Sequence, residues 1–374
     1  MIREITIRNY KAFGDEEQQF ELRHITLLIG KNSSGKSSLC KLLPMLSNAL
    51  SGAAESQIML RNHGTSLGTS FEDLFHNNNA MDLEFGVRYD SGLSIKTTYL
   101  LNAGKFYMCQ YNAKTADDER TKSYHPQNQD AQGLIDYDII QSLGVDPREL
   151  AFSVDYIGPL RIQAARYISD EGRKSSFVGI QGDDTYNILL NSYLRNDGLF
   201  EQVSAWTETH FDGQKLAMKK NTDGSYSLQV ERRGASVNVA DVGFGIAQSL
   251  PIIVQSFVKT GADISVIEQP ALHLHPAAHA DLAIRLAEAA KETNKKYLIE
   301  THSENFLLGL RKIVSDRSCA FSADDIIIYF VDADEEGAYL TPITMDENGE
   351  LSWWPAGIFS ESFDLLSAIM KNRR

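Results

Sequence analysis

The sequence predicts an α/β fold built on a mostly parallel sheet with an antiparallel β part beside it, and three observations carry that expectation. From Val239 onward the pattern alternates strand and helix. The apolar run ITLLIG, Ile25–Gly30, passes straight into a glycine-rich turn and a helical spacing. The 374 residues, 43% of them hydrophobic, suffice to bury one large core or two integrated lobes.

Taken in order, Ile5 and Ile7 alternate with polar residues and predict an opening strand, with Ile25–Gly30 as a buried one. From Lys36 the residues Leu39, Cys40, Leu42, Leu43, Leu46, Ala49 and Leu50 keep a helical spacing, which Pro44 is expected to kink or cut short. Residues 83–112 alternate apolar and polar positions between the turn signals DSG and NAG, the signature of an antiparallel meander. Residues 114–133 are polar and nearly free of large aliphatics, so a mobile loop is expected there. One helical pattern spans residues 184–210, and a hairpin follows around NTDGS. Then come a glycine-bearing turn and helix, the strand ISVIE, a helix over 276–291, the strand KYLIE, a helix over 304–313 and the strand IIIYFV.

Composition narrows the functional classes. No stretch approaches the roughly 20 apolar residues a membrane helix needs, and MIREITIRNYKAF lacks a signal-peptide apolar block, so the cytoplasm is the expected compartment and no membrane partner is expected. Cys40, Cys109 and Cys319 form no CxxC pair and no disulfide framework. A net charge of −14 leaves nucleic acid only a local basic patch, for which Lys215, Lys219, Lys220, Arg232 and Arg233 are candidates, with a solvated face as the alternative.

The stretch GKNSSGKSS, residues 30–38, satisfies G-x-x-x-x-G-K-[ST] between a predicted strand and a predicted helix. Such a loop binds a nucleotide triphosphate, ATP here. Gly30 and Gly35 let the backbone close around phosphate oxygens, and the N–H groups along Asn32, Ser33, Ser34 and Ser38 join the helix N-terminus in donating to them. Lys36 supplies a charge for the β and γ phosphates, and Ser37 a ligand for Mg²⁺.

Glu268 ends the strand ISVIE at the carboxyl edge of the predicted sheet, where it is expected to hold Mg²⁺ with Ser37. Gln269 follows. An amide there can orient an attacking water but cannot take its proton, so hydrolysis is expected to be slow or to use another group. His302, in ETHSE after the next strand, is expected on the same edge and within reach of the γ-phosphate. His273 and His275 have H-x-H spacing but no recognisable third ligand, so capping or subunit contact is expected rather than zinc.

The order of motifs, NYKAF, GKNSSGKS, DVGFGIAQSLP, VIEQPALHLHP and ETHSE, resembles the ABC-class P-loop ATPase heads of the RecF, SMC and OLD lineage. The nearest likeness is to the compact AAA-family ATPases of bacterial antiphage defence systems. It covers about residues 1–50 and 235–335, with YIGPLR, residues 156–161, and SWWPAGIF familiar besides.

The resemblance implies an ABC-type ATPase core over residues 1–50 and 235–374, with a RecA-like sheet and an antiparallel β subdomain. Residues 51–234 would then be an inserted β-meander and helical lobe. It also implies a homodimer, or a higher homo-oligomer, closing head to head on two ATP molecules, each P-loop facing the partner's signature turn at Asp241, Gly243 and Gly245. Asp241 stands where that lineage often has serine; an N-cap for the following helix is the alternative. Ala271 replaces an acid often found in the E-x-P-E segment, and Gln163 is a candidate for the loop linking nucleotide to insert. No Toprim nuclease is expected: the acids of VDADEEG lack further spaced carboxylates.

The function expected is therefore a slowly hydrolysing, ATP-dimerised regulator of a separate effector, a nuclease or toxin. The alternatives are a nucleotide-gated scaffold with little hydrolysis and a RecF-like DNA-repair ATPase. Trp353 and Trp354 form either an effector-docking patch or an edge cap on the sheet.

Overall fold

The computed structural model describes the chain apart from residues 52–57, 63, 79–81, 103–104, 126–132, 171, 173, 360–368 and 372–374. Strands β1 (Ile2–Arg8) and β2 (Gln18–Glu21) pair antiparallel, and β3 (Ile25–Gly30) leaves them for a second sheet. Helix α1 (Lys36–Leu50) runs through Pro44 without ending there, contrary to the expected early end. Its buried stripe continues on both sides of the proline, from Leu39 to Leu50, and packing outweighs one missing backbone hydrogen bond.

A short pair, β4 (Arg61–Asn62) and β5 (Thr65–Ser66), precedes the meander of β6 (Leu83–Tyr89), β7 (Ser94–Asn102) and β8 (Lys105–Lys114). The segment expected to be a mobile loop instead contributes β9 (Glu119–Ser123), paired with β8; its residues 126–132 lie outside the described ones. Polarity misled there because β9 is an edge strand, exposed along most of its length.

Among the described residues the meander continues the opening hairpin into one antiparallel sheet, ordered β2-β1-β6-β7-β8-β9. After α2 (Tyr137–Ser142), strand β10 (Val154–Ile157) lies in the central sheet, paired parallel with the strand over Ile264–Glu268. The continuous helix expected over 184–210 is two, α3 (Thr185–Arg195) and α4 (Leu199–His210), broken where Asn196 turns left-handed before Asp197 and Gly198.

Next come β11 (Lys215–Lys220), β12 (Tyr226–Arg232) and β13 (Ala235–Asn238) as a small antiparallel sheet. The α/β part then runs α5 (Phe244–Phe257), β14 (Ile264–Glu268), α6 (Pro276–Thr293), β15 (Lys296–Glu300), α7 (Glu304–Ser315), β16 (Ile326–Ala333) and β17 (Ala338–Ile343).

The central sheet has the order β10-β14-β15-β3-β16-β17, parallel except for the β17 edge. Every residue of β3 and β14 is buried, as a strand covered on both faces requires. Alternation divides them: Leu28, Val266 and Leu298 pack toward α1 and the antiparallel sheet, Leu27, Ile267 and Ile299 toward α5, α6 and α7. No helix of the described residues is long and apolar enough to cross a membrane.

Candidate nucleotide site

The P-loop lies where β3 meets α1. Gly30 has φ +145°, and a Cβ there would sit 2.1 Å from the carbonyl oxygen of Val331 on the neighbouring strand, so no side chain fits. Gly35, at φ +101°, is the N-cap of α1 and leaves its first N–H groups without a side-chain cap. Ser33 is also left-handed, at φ +63°.

Lys36 is 3% exposed and donates to the carbonyls of Gly30, at 3.0 Å, and Lys31. Its nearest anionic partner is Glu300 Oε1, at 4.0 Å. Burial lowers the pKa of this amine, while Glu300 and Glu268 oppose the shift. Ser34 is 4% exposed, and its Oγ has no hydrogen-bond partner among the described residues. An orphaned buried hydroxyl beside a buried cation and open helix N–H groups fits the triphosphate of ATP. The cleft, about 310 Å³, is lined by Ala12, Glu300 and the P-loop residues Asn32, Ser33, Gly35, Lys36, Ser37 and Ser38.

Glu268 ends β14, 4% exposed. Ser37 Oγ donates to its Oε2 at 3.2 Å, and the Tyr156 hydroxyl, from β10, donates to its Oε1. Ser37 and Glu268 thus present oxygen donors side by side, a set that fits Mg²⁺. Cys40 Sγ comes within 4.8 Å of carboxylate oxygens of Glu268 and Glu300, but burial holds its thiol protonated and the oxygens remain the donors.

Glu300, which sequence reasoning passed over in favour of His302, belongs to the same site. It is paired in register with Glu268 across β14 and β15, which brings two carboxylates to one sheet edge. Burial and the Glu268 charge raise its pKa to about 7, with Lys36 pulling the other way. Its place at the end of KYLIE, parallel to ISVIE, was the signal available. His302 follows, its Nε2 3.9 Å from Glu300 Oε1. Burial and the Lys36 charge lower its pKa, so the imidazole is neutral at pH 7.

Gln269 adopts φ +51°, unusual for a residue with a side chain. Its N–H donates to Glu300 O at 2.8 Å. Arg161, a second residue whose role was not foreseen, locks the other side: Nη2 donates to Glu268 O at 2.7 Å and Gln269 O at 3.1 Å, and Nη1 to Gln248 O, on α5, at 3.3 Å. Burial lowers the guanidinium to about 10, so it stays charged at neutral pH. Gln163 is exposed beyond it.

The signature residues lie away from this cleft. Gly243 is the exposed N-cap of α5 with no side-chain cap, and Gly245 lies in the first turn. Asp241 is not the cap; its carboxylate is held by Arg166. A groove of about 700 Å³ runs from Gly243, Gly245 and Ile246 to His273, Leu274 and His275. His275 caps α6, accepting from Ala277 N at 3.3 Å through Nδ1.

Trp353 closes over the β16–β17 edge, whereas Trp354 packs on the segment that follows it. Trp353 Nε1 donates to Pro342 O at 2.9 Å, with its ring edge-on to Phe330, and Trp354 Nε1 donates to Ile358 O at 2.9 Å. The candidate basic residues lie on β11 and at the end of β12, where Lys215 is opposite Glu231 in register, Lys220 lies over the Tyr226 ring and Arg232 binds Asp212.

A family model described as "AAA domain, putative AbiEii toxin, Type IV TA system" matches residues 25–309. A second, "Protein of unknown function (DUF3696)", matches residues 321–369, which include SWWPAGIF. No curated protein matches the chain. Among solved structures, an SMC head bound to the C-winged helix domain of ScpA is 12% identical at a TM-score of 0.55, over 92% of this chain and 98% of its own. The SMC head domain from Thermotoga maritima is 10% identical at a TM-score of 0.47, over 92% and 99%. The first of these likenesses shows the ABC-class, SMC-like head fold.

Proposed function

This chain belongs to the AbiEii-type AAA-domain family, and from that membership we propose that it binds ATP with Mg²⁺ on residues 30–38 and hydrolyses it slowly. Two copies would close on the nucleotide and so regulate a separate effector. The observation that carries the reading is the convergence at one cleft of buried Lys36, the unpartnered Ser34 hydroxyl and the Ser37–Glu268 pair.

Ser37 and Glu268 would hold Mg²⁺, whose part when bound is to neutralise phosphate charge. Lys36 binds the β and γ phosphates. Gln269, its backbone clamped between Arg161 and Glu300, orients the attacking water but cannot accept its proton. Glu300 is the carboxylate on the cleft wall and takes that proton; its raised pKa suits the task near neutral pH. Neutral His302 offers one further hydrogen bond at the γ-phosphate end.

Closure of two copies is supported by the uncapped N-terminus of α5, exposed beside the 273–275 loop and outside the protomer's own cleft. The family model's description names a putative toxin and a type IV toxin–antitoxin system, which supports a toxin–antitoxin setting; with it we propose a role in defence and a nuclease or toxin as the effector.

A second reading, an ATP-held scaffold with little turnover, is favoured by the amide at Gln269. ATP turnover with and without Mg²⁺, measured beside nucleotide binding for the wild type, Lys36→Ala and Gln269→Glu, separates the two. Turnover that disappears in Lys36→Ala supports the ATPase. Tight binding without turnover, with activity gained in Gln269→Glu, supports the scaffold. Failure of the wild type to bind ATP removes both.

A further inference from the structure

A carboxylate at the mouth of a helix expected to meet phosphate is an electrostatic contradiction, and the structure resolves it with a partner 75 residues away in sequence. Arg166 Nη1 donates to Asp241 Oδ2 at 2.8 Å and Nη2 to Oδ1 at 2.5 Å, a bidentate fork. The backbone beneath it is fixed as well. Asn238 Nδ2 donates to Arg166 O at 3.0 Å while its Oδ1 accepts from Ala240 N at 2.9 Å, which ties the segment after Arg161 to the turn before α5.

Both side chains are nonetheless about half exposed, 50% for Arg166 and 45% for Asp241. A buried pair would suggest an architectural strut; an exposed one held at two points presents its charge to solvent. Two of the guanidinium's five N–H groups engage Asp241, leaving three for a second anion. Neither residue lines the P-loop cleft of its own protomer.

We propose that Arg166 is a catalytic arginine acting in trans, its guanidinium meeting the γ-phosphate held on the P-loop of a second copy, with Asp241 as its positioning residue. The proposal rests on the ATP-dependent pairing of two copies. In the step it serves, the water oxygen bonds to the γ-phosphorus as the bond to the β,γ-bridging oxygen breaks. The electron pair leaves with ADP, the water proton passes to Glu300, and Arg166 offsets charge on the γ-oxygens. Asp241 thereby becomes compatible with a signature position, because what meets the partner is a cation on an acidic base.

The test uses the full chain, with ATP binding, ATP-dependent mass and turnover measured for Arg166→Ala, Arg166→Lys and Asp241→Asn. Arg166→Ala is expected to bind ATP like the wild type but turn over ~100-fold more slowly. Arg166→Lys keeps the charge without the fork and recovers part of the loss. Asp241→Asn falls between, in kcat rather than in KM.

Mixing then separates trans from cis action. An equimolar mixture of Arg166→Ala with Lys36→Ala forms hybrids in which an intact P-loop faces an intact Arg166. It should turn over at least about tenfold faster than either variant alone, with a mixture of wild type and Lys36→Ala as the control for whether one composite site suffices. Undiminished turnover in Arg166→Ala, or hybrids no more active than their parents where that control is active, overturns the proposal. If the control hybrid is silent because the sites are coupled, unchanged turnover of Arg166→Ala alone still overturns it. Wild-type protein that stays a protomer at saturating ATP removes the pairing itself, a result sedimentation reads independently of turnover.

Discussion

Glu300 makes a prediction at the scale of single residues because burial and the Glu268 carboxylate raise its pKa from 4.5 to about 7. An acid raised on folding leaves stability complete below its unfolded pKa and removes it as pH climbs through the folded value. The nucleotide-free protein should therefore lose on the order of 2 kcal/mol between pH 5 and 8 from this group. Denaturant melts across that range should show a smaller loss in Glu300→Gln, and equal slopes in the two proteins would refute the assignment. Arg161 belongs to the same scale. Arg161→Met leaves the carbonyls of Glu268, Gln269 and Gln248 without their donor in a buried place. A cost of ~2–4 kcal/mol is expected, together with a lower kcat as Gln269 loses one side of its clamp; unchanged stability and kcat would mean that the carbonyls find other partners.

At the scale of elements, the site depends on where strands end. Parallel register sets Glu268 beside Glu300, and β15 lies between β14 and β3, so the ends of all three reach one edge. Strand β3 can pass that close to β16 only because residue 30 has no side chain. Gly30→Ala places a methyl 2.1 Å from Val331 O and demands a backbone shift. We expect about 3 kcal/mol or more of lost stability, read as a fall in denaturant midpoint, together with loss of nucleotide binding. A variant as stable as the wild type would show that the two strands separate easily.

The whole molecule holds the phosphate cleft and the uncapped start of α5 in different places. Under the proposed pairing each protomer carries two half-sites, and the expected consequence is a doubling of the 41.7 kDa protomer mass on ATP and Mg²⁺, absent with ADP or in Lys36→Ala. Sedimentation velocity reads this directly, and a nucleotide-independent mass would overturn ATP as the trigger.

What the sequence determined by itself was local. The P-loop was legible because its chemistry lies within nine consecutive residues, Gly30 to Ser38, and the α/β alternation was legible because buried parallel strands are written as apolar runs. Glu268 and His302 could be placed on one edge by counting strands. Tertiary structure alone decided the remainder: that Glu300 shares the Glu268 site, that Tyr156 and Arg161 reach residues 268 and 269 from more than 100 positions away, and that Arg166 neutralises Asp241. The break between α3 and α4 and the pairing of β9 were decided there as well. The physical reason is common to all of them. Strand register and ion pairing between distant segments are set by how two surfaces pack, and no periodicity within either segment records its partner.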